Sequence, residues 1–245
     1  MVGGFTDQYA EMWDLAAPAI REYLIFRPNV PGNLDILFSG TAIRSSADFN
    51  VTVEPHVEHL ACFHGGMFAL SAKLFGISED FDTAQRLTRG CIWAYNSTET
   101  GIMPESSYIM ICEEADNCAW DELLQHNGRT AENLPPGYLS VQDGRYLLRP
   151  EAIESVFYMW RTTGDEYWRD AGWEMFERIR LRTRTPFGHA AIENVMSKNT
   201  NLRDEMESFW FGETLKYTAT ISLRLRLDML TRNLDTSTCF LRTRT

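Results

Sequence analysis

The chain lacks any apolar run approaching the roughly 20 residues that cross a bilayer, so no membrane span is expected. Its first residues, Met1-Val2-Gly3-Gly4, lead to Asp7 and Glu11 rather than to a basic region and an apolar core, so no secretory leader is expected in the chain either. Cysteine is scarce. Cys62, Cys91, Cys112, Cys118 and Cys239 are too few for a disulfide scaffold, and none makes the CxxC pair of a structural zinc site. Positive charge is also in deficit: 23 Lys and Arg against 34 Asp and Glu leave a net charge of -11. Without a basic face there is nothing to displace counterions from nucleic acid or anionic lipid, and no nucleic-acid partner is expected.

What is present suits a globular body. Of 245 residues 44% are hydrophobic, and 7 Trp, 9 Tyr and 14 Phe supply large side chains for one compact core. From Asp7 to Phe26 the residues Tyr9, Met12, Trp13, Ala16, Ile20, Tyr23 and Leu24 recur at three and four, the stripe of an amphipathic helix that Arg27-Pro28 ends. Helical periodicity returns over Val57 to Phe75, stops at Gly76, and resumes over Phe81 to Tyr95 after the acidic start Ser78-Glu79-Asp80. A second helical hairpin is expected over Pro150 to Thr163 and Glu166 to Arg182, with Gly164-Asp165 between them, and a further helix over Arg203 to about Tyr217. The intervening stretches, Asn29 to Glu54 and Thr98 to Gly144, are rich in Pro, Gly and polar residues and read as long connections with little regular structure. The class is therefore all-α, with only isolated strand-like pieces such as Arg145 to Leu148.

Residues 218–245 differ in kind. They hold seven Thr and five Arg, and Leu223-Arg224-Leu225-Arg226-Leu227 alternates with period two. The expected division is a body over 1–217 and a divergent tail over 218–245, either a separate surface arm or, as the preferred reading, a stretch read out of frame or through an intron.

Three segments concentrate chemistry. In Leu148-Arg149-Pro150-Glu151, with Glu154 three residues on, Pro150 at the first helical turn sends two carboxylates out of one side of a helix end. This suits either a capped, dipole-stabilised terminus or a pair of site carboxylates with a neighbouring arginine. Around Phe209, in Glu207-Ser208-Phe209-Trp210-Phe211-Gly212-Glu213, acids interrupt an aromatic run. Carboxylates that pair with hydroxyls, beside aromatic faces that cover the apolar side of a pyranose, are what a sugar site requires. The alternative is that Glu207 and Glu213 face water. Glu105, after Met103-Pro104, stands where a helix gives way to a loop. His59 points away from solvent if Leu60 and Phe63 belong to the core, and such a histidine is either a satisfied core residue or a ligand.

Taken together these blocks resemble glycoside hydrolase family 47, the class I α-1,2-mannosidases of fungal type. The blocks are His59-Leu60-Ala61-Cys62-Phe63 with Gly65-Gly66-Met67, then Leu148-Arg149-Pro150-Glu151 with Glu154-Ser155 and Arg161-Thr162-Thr163-Gly164-Asp165, and Met206-Glu207-Ser208-Phe209 with Glu213-Thr214-Leu215-Lys216-Tyr217. Cys91 to Tyr95 and Thr100 to Glu105 add to the likeness, which covers roughly residues 3 to 217.

The resemblance implies an (αα)7 barrel, of which this chain would be roughly the second half, and calcium-dependent, inverting removal of terminal α-1,2-linked mannose from high-mannose N-glycans. It implies that Glu151 activates water, that Glu105 is a second site carboxylate, and that Arg149, Glu154, His59, Phe209 and Glu213 line the mannose subsite. It implies a Cys62–Cys91 disulfide; Cys112 and Cys118 are a candidate for a second, local pair that is left open between bonded and free. The disulfide and the sequons at Asn50 and Asn96 fit the secretory pathway. Two departures accompany the match: the family's general acid belongs to the other half of the barrel, and its Asn-Thr-Glu-Ala-His-Pro run, which supplies the threonine ligand of Ca2+, is absent. No metal ligand is assigned in this chain, and the chain alone is expected to be inactive. The alternatives are a non-catalytic mannose-binding module of the ER-degradation type and an acidic helical scaffold fragment.

Overall fold

The structure, a computed structural model, describes residues 7–46, 50–113 and 118–221. Helix α1 (Asp7–Tyr23) leads through β1 (Ile25–Phe26), β2 (Phe38–Ser39), β3 (Thr41–Arg44), β4 (Val51–Glu54) and β5 (His56–Glu58) into a 3-10 turn (His59–Cys62). Then come α2 (Phe63–Phe75), α3 (Ser78–Asn96), β6 (Ser106–Ile109), α4 (Glu122–Gly128), β7 (Tyr138–Asp143), α5 (Glu151–Thr163) and α6 (Glu166–Thr183). The short strands β8 (Ala191–Ile192) and β9 (Leu202–Arg203) precede a π-helical turn, Trp210–Thr214, which runs into regular helix over 215–221.

The two helical hairpins form the body. Each turns on a glycine with positive φ after its first helix: Gly76 at φ 71 ends α2 and Gly164 at φ 74 ends α5, a conformation that costs glycine nothing. Helix α6 is then restarted by Asp165, whose side chain accepts from the Tyr167 amide. Helix α2 lies between α3 and α5, and two adjacent glycines set how close it comes. A Cβ on Gly65 would stand 2.4 Å from Thr88 Oγ1, and one on Gly66 2.8 Å from Tyr158 Cδ2. The bare Gly66 backbone lets α5 approach, and its buried amide donates to Ser155 Oγ at 2.7 Å, while that hydroxyl donates to the Cys62 carbonyl at 2.5 Å. Phe68, Ala69, Ile153, Val156, Met159 and Trp168 are fully buried between these helices.

The connections are more ordered than their composition predicts. The Asn29 to Glu54 stretch carries the antiparallel hairpin β3–β4 as well as β2, which pairs with β1. The Thr98 to Gly144 stretch carries α4 and two strands of an antiparallel sheet of order β5-β6-β7. The predicted helix over Val57 to Phe75 accordingly begins only at Phe63, because Val57 pairs with Ser107 as a strand residue and residues 59–62 form a 3-10 turn. The helix predicted from Arg203 starts later still, since Arg203 pairs with Ala191 in β9. Helix 215–221 runs past the break predicted at 217, while residues 222–245 lie outside the described residues.

The expected Cys62–Cys91 pair is a disulfide with Cα atoms 6.0 Å apart, and Cys112 and Cys118, the pair left open, are also joined, with Cα atoms 5.5 Å apart. Among the described residues no helix is long and apolar enough to cross a membrane.

Candidate active site

The site grows from the start of α5. Leu148, fully buried, holds φ 64, a region costly to a side chain with a Cβ, and its carbonyl accepts from Thr214 Oγ1 at 2.7 Å. The chain next passes through Arg149, whose carbonyl accepts from Tyr146 OH at 3.2 Å, to Pro150, the helix N-cap. Proline has no amide to leave unpaired there, and its ring fixes the φ a helix needs. Glu151 and Glu154 therefore occupy the first turn, where free amides and the helix dipole favour negative charge, and both are buried.

Glu151 is held from two sides. His59, fully buried, places Nδ1 3.1 Å from Glu151 Oε2 and Nε2 2.8 Å from Tyr95 OH. A carboxylate only accepts, so Nδ1 carries a proton and donates it to Glu151, with Tyr95 OH the partner of Nε2. On the other side Arg149 Nη1 stands 3.7 Å from Glu151 Oε1, and Arg149 Nε bonds Glu105 Oε2. Glu105 also accepts from the Leu147 amide at 3.2 Å, and its own backbone joins both neighbours, donating to Arg145 O and accepting from His59 N. Burial pushes the Glu151 carboxyl up. The His59 hydrogen bond and charge, the helix amide and Arg149 outweigh it, and the group sits below the ordinary carboxylate value. It is ionised at neutral pH.

Glu154, one turn on, goes the other way. Burial raises its carboxyl and the nearby Glu213 and Glu151 charges add to this, against a 2.5 Å hydrogen bond from Tyr217 OH. Glu213 reaches this neighbourhood because residues 210–214 are wound as a π turn, a rare widening of the helix that re-aims side chains and recurs at functional sites. Phe209 at the head of the turn lies under the Arg149 guanidinium, 5.9 Å from ring centroid to Cζ.

A depression of about 590 Å³ opens over this helix end. Glu151, Glu154 and Glu213 line it together with Glu58, Ser39, Gly40, Leu24 and the residues Leu60, Ala61, Phe63 and His64. Of the predicted site residues, then, three carboxylates meet at the depression. Arg149, Glu105 and Phe209 are not among its lining residues: Arg149 stands beside Glu151 and is itself held by Glu105 and packed on Phe209. His59 is not in the wall: it is fully buried beneath, and both its nitrogens are spoken for. The condition on which its orientation was predicted also fails, since Leu60 and Phe63 are exposed. In a 3-10 turn residues three apart share a face, so His59 and Cys62 turn inward and Leu60 turns out.

Sequence reasoning assigned no role to Tyr95 or Tyr217, although both stand in segments singled out there. The available signal for Tyr95 was its place one helical turn after Cys91, on the same side of α3. The predicted sequons lie at exposed positions, Asn50 before β4 and Asn96 at the end of α3, where Asn96 Oδ1 accepts from Arg178 Nη1.

The calcium that the resemblance implies has no metal-holding cluster of acidic or histidine side chains among the described residues, and the site carboxylates have other partners: His59 and Arg149 for Glu151, Arg149 for Glu105, Tyr217 for Glu154.

Comparison with known proteins agrees with this geometry. The chain is 34% identical over 210 residues to the probable mannosyl-oligosaccharide alpha-1,2-mannosidase 1B of Aspergillus fumigatus, covering 85% of this chain and 38% of that protein. It is 35% identical over 210 residues to the mannosyl-oligosaccharide alpha-1,2-mannosidase 1B of Emericella nidulans, again with 85% and 38% coverage. The solved structure of the alpha-1,2-mannosidase from Trichoderma reesei superposes with a TM-score of 0.69 at 29% identity, over 87% of this chain and 41% of that one. The chain thus spans about two fifths of the length of these relatives, and its hairpins α2/α3 and α5/α6 are those of about half of an (αα)7 barrel. The sequence pattern of glycosyl hydrolase family 47 matches residues 1–219, and the chain belongs to that family of glycosidases.

Proposed function

We propose that this chain supplies one wall of an α-1,2-mannosidase site acting on terminal mannose of high-mannose N-glycans, with Glu151 as the base. The observation that carries this is an ionised, rigidly held carboxylate at the floor of an open depression, with Glu154 and Glu213 beside it. In inverting hydrolysis Glu151 takes the proton of a water as its oxygen attacks the anomeric carbon, while an acid on the far side of the bond protonates the leaving oxygen. His59, anchored by Tyr95, holds one Glu151 oxygen, and Arg149, held by Glu105, steadies the other. Glu154 and Glu213 accept from sugar hydroxyls.

The acid is the missing part. Glu154 cannot serve, because residues three apart on a helix have Cβ atoms about 5–6 Å apart on one face and cannot flank a bond. The chain alone is therefore expected to bind mannosides without turning them over. The bonded cysteine pairs and exposed sequons are in keeping with an oxidising, secretory compartment.

The test is a titration of the purified chain with α-1,2-mannobiose, followed by NMR and by assay of free mannose. Binding without release is expected, and Glu213→Ala should weaken it about tenfold or more, the scale of a lost charged hydrogen bond. Release of mannose would overturn the claim that an acid is missing, and absence of binding would overturn the site.

A further inference from the structure

We infer that His64 is a specificity-determining contact, donating from its ring to a hydroxyl of the second sugar, the one beyond the terminal mannose; this rests on the mannoside reading above. His64 stands in the first turn of α2 and lines the depression with Glu151, Glu154 and Glu213. Its Nδ1 is enclosed and has no hydrogen-bond partner among the described residues. The contrast with His59, five residues earlier, is direct: that ring is buried with partners at 3.1 and 2.8 Å, as a structural histidine should be.

Burial holds the His64 ring below the ordinary histidine value, so at neutral pH it is uncharged and carries one proton. An enclosed N–H without an acceptor is the rarer and more costly orphan, which puts the proton on Nε2. Since the ring lines the depression and only Nδ1 is enclosed, the Nε2 edge is the one presented to a ligand. The neighbouring carboxylates accept, and among the described residues no Lys or Arg lines the depression. Among the described lining residues, a sugar whose hydroxyls must also accept finds side-chain donors at Ser39 and His64.

Depth assigns the subsite. Glu151 and Glu154 are buried at the floor, whereas Leu60 and Phe63 are exposed beside His64. A terminal mannose held at the floor leaves the next sugar at that rim, its apolar face on Phe63 and Leu60 and a hydroxyl at His64.

The experiment compares methyl α-mannoside, one sugar, with α-1,2-mannobiose, two, on the chain and on its His64→Leu and His64→Gln variants, with thermal unfolding as the check on folding. His64→Leu should weaken mannobiose about 5- to 10-fold, the scale of one neutral hydrogen bond, and leave methyl α-mannoside unchanged. His64→Gln, which keeps an N–H at similar reach, should recover most of the loss. In the unaltered chain the His64 Nε2 resonance should shift with mannobiose and stay in place with methyl α-mannoside. Equal weakening of both ligands, no weakening of either, or no Nε2 shift would overturn the role of His64 while leaving the mannoside site standing. Failure of the unaltered chain to bind either sugar would overturn both.

Discussion

Helices α1 and α5 carry similar amphipathic stripes in the sequence and meet opposite fates in the fold. Helix α5 lies against α2 on one side and α6 on the other, and Ala152, Ile153, Val156 and Met159 are all fully enclosed. In α1 only Ala17 is buried; Tyr9, Met12 and Leu15 remain exposed, and Pro18 removes one backbone donor from the helix interior. Helix α1 is held instead at a point. Trp13 Nε1 donates to Asp80 Oδ2 at 3.1 Å, Arg21 bonds Asp80 Oδ1, and Trp13 packs edge-on against Phe68 with centroids 5.2 Å apart. A periodic stripe states that a helix has an apolar face; whether anything covers that face is a property of the rest of the fold.

The comparison breaks most visibly under truncation. Ile153→Ala should cost about 2–5 kcal/mol, because the tightly packed α2/α5/α6 interface cannot collapse around the cavity. Leu15→Ala, an equal loss of carbon atoms from an exposed position of α1, should stay within about 0.5 kcal/mol. Denaturant midpoints at constant slope check both, and equal losses would show that α1 is covered in solution.

Asp80 sharpens it next. Fully buried, it accepts from Ser71 Oγ at 2.7 Å as well as from Trp13 and Arg21. Asp80→Ala strands the Trp13 donor, while Ser71 keeps the Phe68 carbonyl and Arg21 keeps Glu79, and should cost about 2–3 kcal/mol, below the usual range for a broken buried pair because Arg21 is also partly exposed. If α1 hangs from this tie, hydrogen exchange should rise along Asp7–Tyr23 while α5 stays protected. Uniform loss of protection would refute the point attachment.

The same contrast explains what was legible in the sequence. Both hairpins could be read because α2/α3 and α5/α6 have long periodic stripes and glycine stops at Gly76 and Gly164. The sheet β5-β6-β7 could not, since Ser106-Ser107-Tyr108-Ile109 is short and polar and its pairing with His56–Glu58 and Tyr138–Asp143 is set by distant backbone. At the site, Arg149, Glu151 and Glu154 were visible because proline fixes where the helix starts. His59 is turned inward and satisfied as a core histidine would be, but the condition placed on Leu60 and Phe63 fails because a helical phase was carried through residues that form a 3-10 turn, where the period is three. Tyr95 and Tyr217 act through contacts 36 and 63 residues away in sequence, which no local pattern encodes.

The smallest effect, and the one that separates the two carboxylates of α5, is in pH. Glu151 sits below the ordinary carboxylate value, so the unfolded chain binds the proton more readily than the folded one; its contribution is full above the ordinary value and is lost as pH falls through the lowered one. Glu154 sits above it, so the folded chain holds the proton more readily, and stability declines as pH rises from the ordinary value through the raised one. Unfolding free energies at about pH 4 and about pH 7 should therefore move in opposite senses in the two variants. Glu151→Gln, which deprives His59 and Arg149 of a charged partner, should be more harmful at the higher pH. Glu154→Gln, which keeps a neutral acceptor for Tyr217, should be less harmful there. The first turn of one helix then holds a charged carboxylate and, three residues later, one that gives up its proton late. If both variants respond to pH in the same direction, the environment does not distinguish the pair, and the assignment of Glu151 as the base loses its electrostatic support.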